Sequence, residues 1–279
     1  MSCPDFIIIG AMKCGTSTLA TQLGQQNGLF LTTPKEPNFF SDDDVFARGL
    51  HWYASLFERA GTQDIKGEAS THYTKLPTHP HTVTRMRAVL ANPRLVYMVR
   101  DPVQRSVSHF IHEWSERRMS GNLDSALETY PELVEYSLYA KQIAPFIDAY
   151  GIDAICLTSL ERLKTNPADE LARIAHHIGF KGPTQWHSEL STQNVSAERV
   201  RKLPLHNLLV DNPVARSLRR ALVPQSLRTR LAKSRQMHAR PTLSPDRIAA
   251  LRAQFASDQT RLSELFPDVI ETDMKREVS

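Results

Sequence analysis

Two short runs hold residue types able to do chemistry at useful spacing. The first reads Gly10-Ala11-Met12-Lys13-Cys14-Gly15-Thr16-Ser17-Thr18, directly after the apolar residues 6–9. A glycine loop between a strand and a helix turns backbone N–H groups and the positive helix end toward an anion. Lys13 adds a charge, and Thr16, Ser17 and Thr18 add hydroxyl donors. Such a loop suits phosphate or sulfate oxygens. The second run is Arg100-Asp101-Pro102-Val103-Gln104-Arg105-Ser106-Val107-Ser108, after the apolar residues 95–99. Arg100 offers a planar fork of donors that fits a phosphate. Ser108 falls two helical turns further on. Residue types alone also allow an Arg100–Asp101 ion pair at the strand end, with Ser108 as a packing residue.

The glycine spacing, G-x-x-x-x-G, is that of a nucleotide-binding P-loop, with one departure. The lysine of that motif should follow the second glycine, where this chain has Thr16. The lysine present is Lys13, two residues before Gly15, so the cradle is kept and the cation is displaced. The Gly-Lys-Ser/Thr pair associated with Mg²⁺ is missing.

These runs need elements to hold them. Residues 6–9 and 95–99 are continuous apolar stretches and 153–157 is apolar after Asp153, which suits strands buried on both faces of a parallel sheet. Residues 64–66 read as an edge of that sheet. Helices are expected from Thr16, over 103–119, over 167–178 with Asn166 as cap and Gly179 as stop, and from Pro245 with Ile248, Leu251, Phe255, Leu262 and Leu265 along one side. The alternation predicts an α/β fold: a P-loop-like, doubly wound parallel sheet flanked by helices, with a helical C-terminal part. We expect one domain over 1–279, in which 180–243 is a less regular, basic helical subregion packed on the α/β core.

Composition is that of an ordinary globular protein: 279 residues, 41% hydrophobic, 23% charged, net charge +4. The charge is uneven, because residues 199–240 hold eleven Lys/Arg against the single acid Asp211. That stretch would attract phosphates, sulfates or an acidic membrane surface. It lacks interleaved aromatics, so nucleic acid is not expected as a partner. Cys3, Cys14 and Cys156 are too few and scattered for a disulfide framework, and no Cys/His cluster has metal spacing. His79, His81, His176 and His177 read as surface or core histidines. Residues 6–9 are too short an apolar run for a signal peptide. The chain is therefore expected to begin near its mature start and to be cytoplasmic.

At these motifs the sequence resembles the sulfotransferases that use 3′-phosphoadenosine 5′-phosphosulfate (PAPS). Lys13 to Thr18 resembles their 5′-phosphosulfate loop, and Arg100 to Ser108 their 3′-phosphate motif R-D-P-x-x-R-x-x-S. Pro34-Lys35-Glu36-Pro37-Asn38-Phe39-Phe40 and Gly67-Glu68-Ala69-Ser70-Thr71-His72-Tyr73 are similar to two segments of the carbohydrate branch, which includes the heparan sulfate sulfotransferases. Thr71-His72 departs from the second segment, where a proline is usual. Arg240-Pro241-Thr242-Leu243-Ser244-Pro245 looks like the ending of bacterial members. The likeness runs in order over residues 5–180 and more loosely over the last forty.

The resemblance implies sulfuryl transfer from PAPS to a hydroxyl, less readily an amine, of a carbohydrate or other small acceptor, with adenosine 3′,5′-bisphosphate as product and no metal required. It implies Glu68 as catalytic base, with Lys13 and Lys35 at the transferring group. It implies nucleotide contacts from Lys13, Cys14, Gly15, Thr16, Ser17, Thr18, Arg100 and Ser108, and from Arg199 and Lys202 in the basic stretch. Trp52 and Tyr53 are candidates for lining an acceptor cleft. Two other readings stand beside it. A P-loop kinase or NTPase would need Mg²⁺ and would use Asp101 as its acid. A non-catalytic polyanion or membrane-surface binder would act through 199–240. Oligomeric state is not encoded legibly.

Overall fold

The computed structural model of the protein describes residues 3–190 and 240–269. Strand β1 (Phe6–Gly10) is buried along its whole length. With β2 (Leu29–Leu31), β3 (Ile65–Ala69), β4 (Arg94–Val99) and β5 (Ile155–Ser159) it forms a five-stranded parallel sheet in the order β2-β3-β1-β4-β5. The expected runs at 6–9, 95–99 and 153–157 are β1, β4 and β5. β5 starts two residues late, after a 3₁₀ turn over Ile152–Ala154. The segment expected as an edge at 64–66 is an inner strand, β3, between β2 and β1. Its sequence, Ile-Lys-Gly-Glu-Ala, is too polar to announce burial, yet Glu68 and Ala69 are sealed inside.

The helices of the first half are α1 (Thr16–Gly24), α2 (Asp43–Phe46), α3 (Gly49–Ser55) and α4 (Thr82–Val89). Those of the second half are α5 (Pro102–Ser115), α6 (Leu123–Thr129), α7 (Glu132–Glu135), α8 (Tyr139–Tyr150), α9 (Leu160–Thr165), α10 (Pro167–His177) and α11 (Pro245–Leu265). From β1 the chain runs outward one way to β2, then crosses β1 to reach β4 and β5. Right-handed crossovers in opposite directions put α1 on one face and α4 and α8 on the other. Accordingly α1 packs with α10, and α4 with α8.

The expected helix over 103–119 stops at Ser115. Arg117 takes the left-handed conformation (φ 64°), and the N–H groups of Arg118 and Met119 fold back to the Glu113 carbonyl. α5 to α7 then build a second apolar cluster with Val103, Val107, Phe110, Leu123 and Leu133, which Leu251 and Phe255 of α11 complete. The expected stripe on α11 is present, with Leu251, Phe255 and Leu262 buried. α11 also caps α8. The Asp258 carboxylate accepts the N–H groups of Ala140 and Lys141 at 3.0 and 2.9 Å, where the helix has no side-chain cap of its own. Among the described residues no helix is long and apolar enough to cross a membrane.

Phe255 is 1% exposed, so Phe255→Ala removes a full core side chain. It is expected to lower unfolding stability by about 3–5 kcal/mol, read from the urea midpoint. A loss below about 1 kcal/mol would mean that α11 is not part of the cooperative core.

Candidate active site

The order of the sheet reverses at β1, and ligands of such sheets bind beyond the carboxyl ends of the strands at that reversal. The loop after β1 lies there, tied to β4 by the Ala11 N–H, which donates to the Met98 carbonyl at 2.7 Å. Two positions require glycine. Gly10 has φ 150°, and a Cβ there would lie 2.0 Å from the Thr74 hydroxyl oxygen, which donates to the Ile9 carbonyl. Gly15 has φ 96° and opens α1, and its Cβ would lie 2.8 Å from Leu160 and 3.1 Å from Met98. The backbone is thus pressed onto β4 and α9. No side chain caps α1, which leaves its first N–H groups for an anion.

Lys13 takes φ 69° and is partly exposed in the loop. Ser17 and Thr18 are partly exposed on the first turn of α1, whereas Thr16 is buried. Cys14 points the other way. It is wholly buried, its Sγ lies 3.6 Å from the Tyr139 hydroxyl, and its N–H is used by the Ala11 carbonyl. Burial pushes its thiol up to about 11. Of the expected nucleotide contacts, Cys14 therefore has its side chain turned into the core.

Arg100, at the end of β4, donates from Nη1 to the Lys13 carbonyl at 3.2 Å. Its Nε is buried and has no partner, an orphaned donor that fits a ligand oxygen. Arg240, which sequence reasoning passed over in favour of Arg199 and Lys202, comes to the same place. Its Nη2 donates to Gln104 Oε1 at 3.0 Å, and it is close enough to Arg100 for the two charges to repel. Arg199 and Lys202 lie outside the described residues. Ser108 is 2% exposed, on the inward side of α5. Asp101 does not pair with Arg100. It caps α5 by accepting the Gln104 N–H at 2.7 Å and lies 3.6 Å from Arg252, so it is not disposed as a metal-binding acid. The cradle, the orphaned guanidinium nitrogen and the second arginine together fit a nucleotide with phosphates at both ends.

At the carboxyl end of β3 stand two carboxylates in opposite settings. Glu68 is wholly buried. Its Oε1 accepts the hydroxyls of Tyr53 and Tyr73 at 2.7 and 2.8 Å, and its Oε2 accepts that of Ser70 at 2.8 Å. Burial pushes its carboxyl up, against the lowering effect of those donors. Tyr53, expected at an acceptor cleft, is thus committed to the core, stacked on Phe39 at 4.4 Å. Glu36 is partly open. It pairs with Lys35 at 2.7 Å and accepts the Thr71 hydroxyl at 3.0 Å, while its N–H donates to the Ala69 carbonyl. Burial raises its carboxyl, but the Lys35 charge and the two hydrogen bonds outweigh it and hold it below the usual range. Sequence reasoning named Lys35 and passed over its neighbour. The available signal was adjacency, an acid beside a cation in a loop fixed by Phe39 and Phe40.

A family model described as the sulfotransferase domain matches residues 3–227. The chain belongs to the sulfotransferase family. Mouse heparan sulfate glucosamine 3-O-sulfotransferase 3B1 is 29% identical over 187 residues, covering 64% of this chain and 46% of that protein. The membrane-associated sulfotransferase kil1 of Dictyostelium discoideum is 35% identical over 130 residues, 45% of this chain and 26% of its own. The chain thus spans about half or less of the length of these curated relatives. In fold it is similar to the crystal structure of a sulfotransferase from Alicyclobacillus acidocaldarius, with TM-score 0.67, 21% identity and coverage of 95% and 96%. A sulfotransferase domain from the curacin biosynthetic pathway aligns at TM-score 0.50 and 16% identity, over 92% of this chain and 99% of that one.

The Glu68 setting predicts a pH signature. A raised native value means that the folded state binds the proton more tightly than the unfolded state. The contribution of Glu68 to stability is then full below its ordinary value of 4.5 and is lost as pH rises through the raised one. Wild type should lose stability relative to Glu68→Gln across that interval, measured by urea unfolding at a series of pH values. Parallel curves would show that Glu68 titrates normally.

Proposed function

We propose that the protein is a PAPS-dependent sulfotransferase acting on a hydroxyl of a carbohydrate or other small acceptor. The observation that carries the reading is the buried, unpartnered Nε of Arg100 beside the Lys13 loop, in a chain of this family. When bound, PAPS supplies a sulfuryl group on a phosphate leaving group. The Lys13 ammonium and the first N–H groups of α1 stabilise the charge that develops on the leaving oxygen. Arg100 and Arg240 hold the phosphate at the far end, and Lys35 neutralises the transferring oxygens. We place the protein in the cytosol, on the strength of three scattered free cysteines.

The proton of the acceptor hydroxyl needs a carboxylate within reach. Basicity favours Glu68, and access favours Glu36. Reach comes first, because a base must touch the proton it takes. Glu68 is closed in by three hydroxyls, whereas the Glu36 side chain keeps 32% of its surface open. We therefore assign Glu36 as the base and Glu68 as a positioning residue: Ser70, which donates to Glu68, accepts the Asn38 N–H and so fixes the loop that carries Glu36.

Calorimetric titration of adenosine 3′,5′-bisphosphate without metal tests the nucleotide site. Tight binding that weakens at least ~10-fold in Arg100→Ala is expected, the loss of a charged hydrogen bond. Binding of ATP–Mg²⁺ in its place would overturn the reading. With PAPS as donor, Glu36→Gln should keep nucleotide affinity and lose roughly 10²–10⁴ in kcat. A normal kcat in Glu36→Gln with a loss of that size in Glu68→Gln, both folded, would return the base to Glu68.

A further inference from the structure

Lys75 is a buried cation that the chemistry above leaves unused. It follows the 3₁₀ turn Thr71–Thr74, is 9% exposed, and holds its ammonium 5.9 Å from the centre of the Tyr136 ring. Among the described residues its ammonium forms no ion pair with a carboxylate. Both acids whose charge reaches it are engaged elsewhere. Glu36 is closed on Lys35, and Glu113 takes two guanidinium nitrogens of Arg118. Two further cations, Arg105 and Arg118, repel it. A buried charge without a partner is costly and marks a place where a partner arrives.

Its position says what that partner belongs to. Thr71, four residues before Lys75, donates to the Glu36 carboxylate, and Lys75 is near enough to Glu36 to feel its charge. The ammonium therefore lies within electrostatic reach of the proposed base. We propose that Lys75 pairs with an anionic substituent of the acceptor, a carboxylate or a sulfate ester, and so selects acidic acceptors over neutral ones. The proposal rests on the sulfotransferase reading and adds the acceptor's charge to it.

The charges around Lys75 also set how the pairing responds to pH. Burial, with the charges of Arg105 and Arg118, lowers its ammonium against the raising effect of Glu36 and Glu113, to about 8 in all. The histidines that sense Lys75 do not compensate. Burial lowers His72 to about 4, lowers His79 and takes His109 well down, so all three are neutral near pH 7. Burial likewise raises Tyr136, which stays neutral too. Pairing needs the protonated lysine, so selection should fade as pH rises past about 8.

The test uses the full chain saturated with adenosine 3′,5′-bisphosphate and two probes, 4-nitrophenyl β-D-glucuronide and 4-nitrophenyl β-D-glucoside, which differ in one carboxylate. Binding is measured by calorimetry near pH 7 and, with the same protein, at about pH 9.5. Wild type should bind the glucuronide at least ~10-fold more tightly near pH 7, the contribution of one charged hydrogen bond. The preference should fall to within about 2-fold in Lys75→Met, persist in Lys75→Arg, and at the higher pH vanish from wild type but not from Lys75→Arg. Nucleotide affinity reports that each variant is folded, and the wild-type pH comparison needs no variant. Equal binding of the two probes by wild type, undetectable glucuronide binding, or an undiminished preference in Lys75→Met would overturn the proposal with the sulfotransferase reading intact. Failure of wild type to bind the nucleotide would overturn both.

Discussion

A carboxylate with no water around it must be held by hydrogen bonds, and at Glu68 that requirement organises the acceptor side of the site. Three hydroxyls meet it, from α3, from the residue after β3 and from the 3₁₀ turn. Taking away one donor leaves charge or lone pairs uncovered at a cost of about 1–3 kcal/mol, so these elements stay in one arrangement or the group does not stay buried. The constraint spreads outward. Tyr53 stacks on Phe39 and meets Phe40 edge-on, and Ser70 accepts the Asn38 N–H. The loop from Pro34 to Phe40 is fixed at both its apolar and its polar contacts. Lys35 and Glu36 therefore stand at a defined place beyond the sheet, although they occupy a loop.

The opposite problem is solved on the nucleotide side. Arg100 and Arg240 face one space, and no carboxylate among the described residues neutralises Arg100. The nearest acid in sequence, Asp101, is spent on the cap of α5 and on Arg252. Repulsion between these like charges is unfavourable and is relieved by a dianion. Binding to the folded state alone then stabilises it by mass action. The proposed nucleotide would act in this sense as a counterion of the fold and would link the affinity of the site to the stability of the region around α5 and α11.

Legibility followed the range of the physics. The apolar runs of β1, β4 and β5 and the glycine loop are local signals, and each lies where the sequence puts it except that β5 is displaced by two residues. β3 was legible only as an edge. It is half polar, and its burial depends on Gly67, where a Cβ would lie 2.1 Å from the Phe6 ring on the neighbouring strand. No window along the chain contains that fact. The same holds for the two glutamates. Glu68 sits in a polar Gly/Ser segment that reads as exposed, and what seals it is Tyr53, fifteen residues earlier. Glu36 reads as an ordinary loop acid until the packing of its neighbours shows it to be the open one.

Arg240 marks the far limit of that range, because it reaches Gln104 across 136 positions of sequence. Its place is set by α11, which begins five residues later and is anchored in three independent ways. Phe255 and Leu251 enter the cluster of α5 to α7, Asp258 caps α8, and Arg252 meets Asp101. The last of these contacts falls on the residue next to Arg100. The helix that delivers the second arginine is thus docked on the strand end that carries the first. Packing of an apolar stripe, which has no chemistry of its own, fixes the distance between two guanidinium groups and so decides which anion they can share.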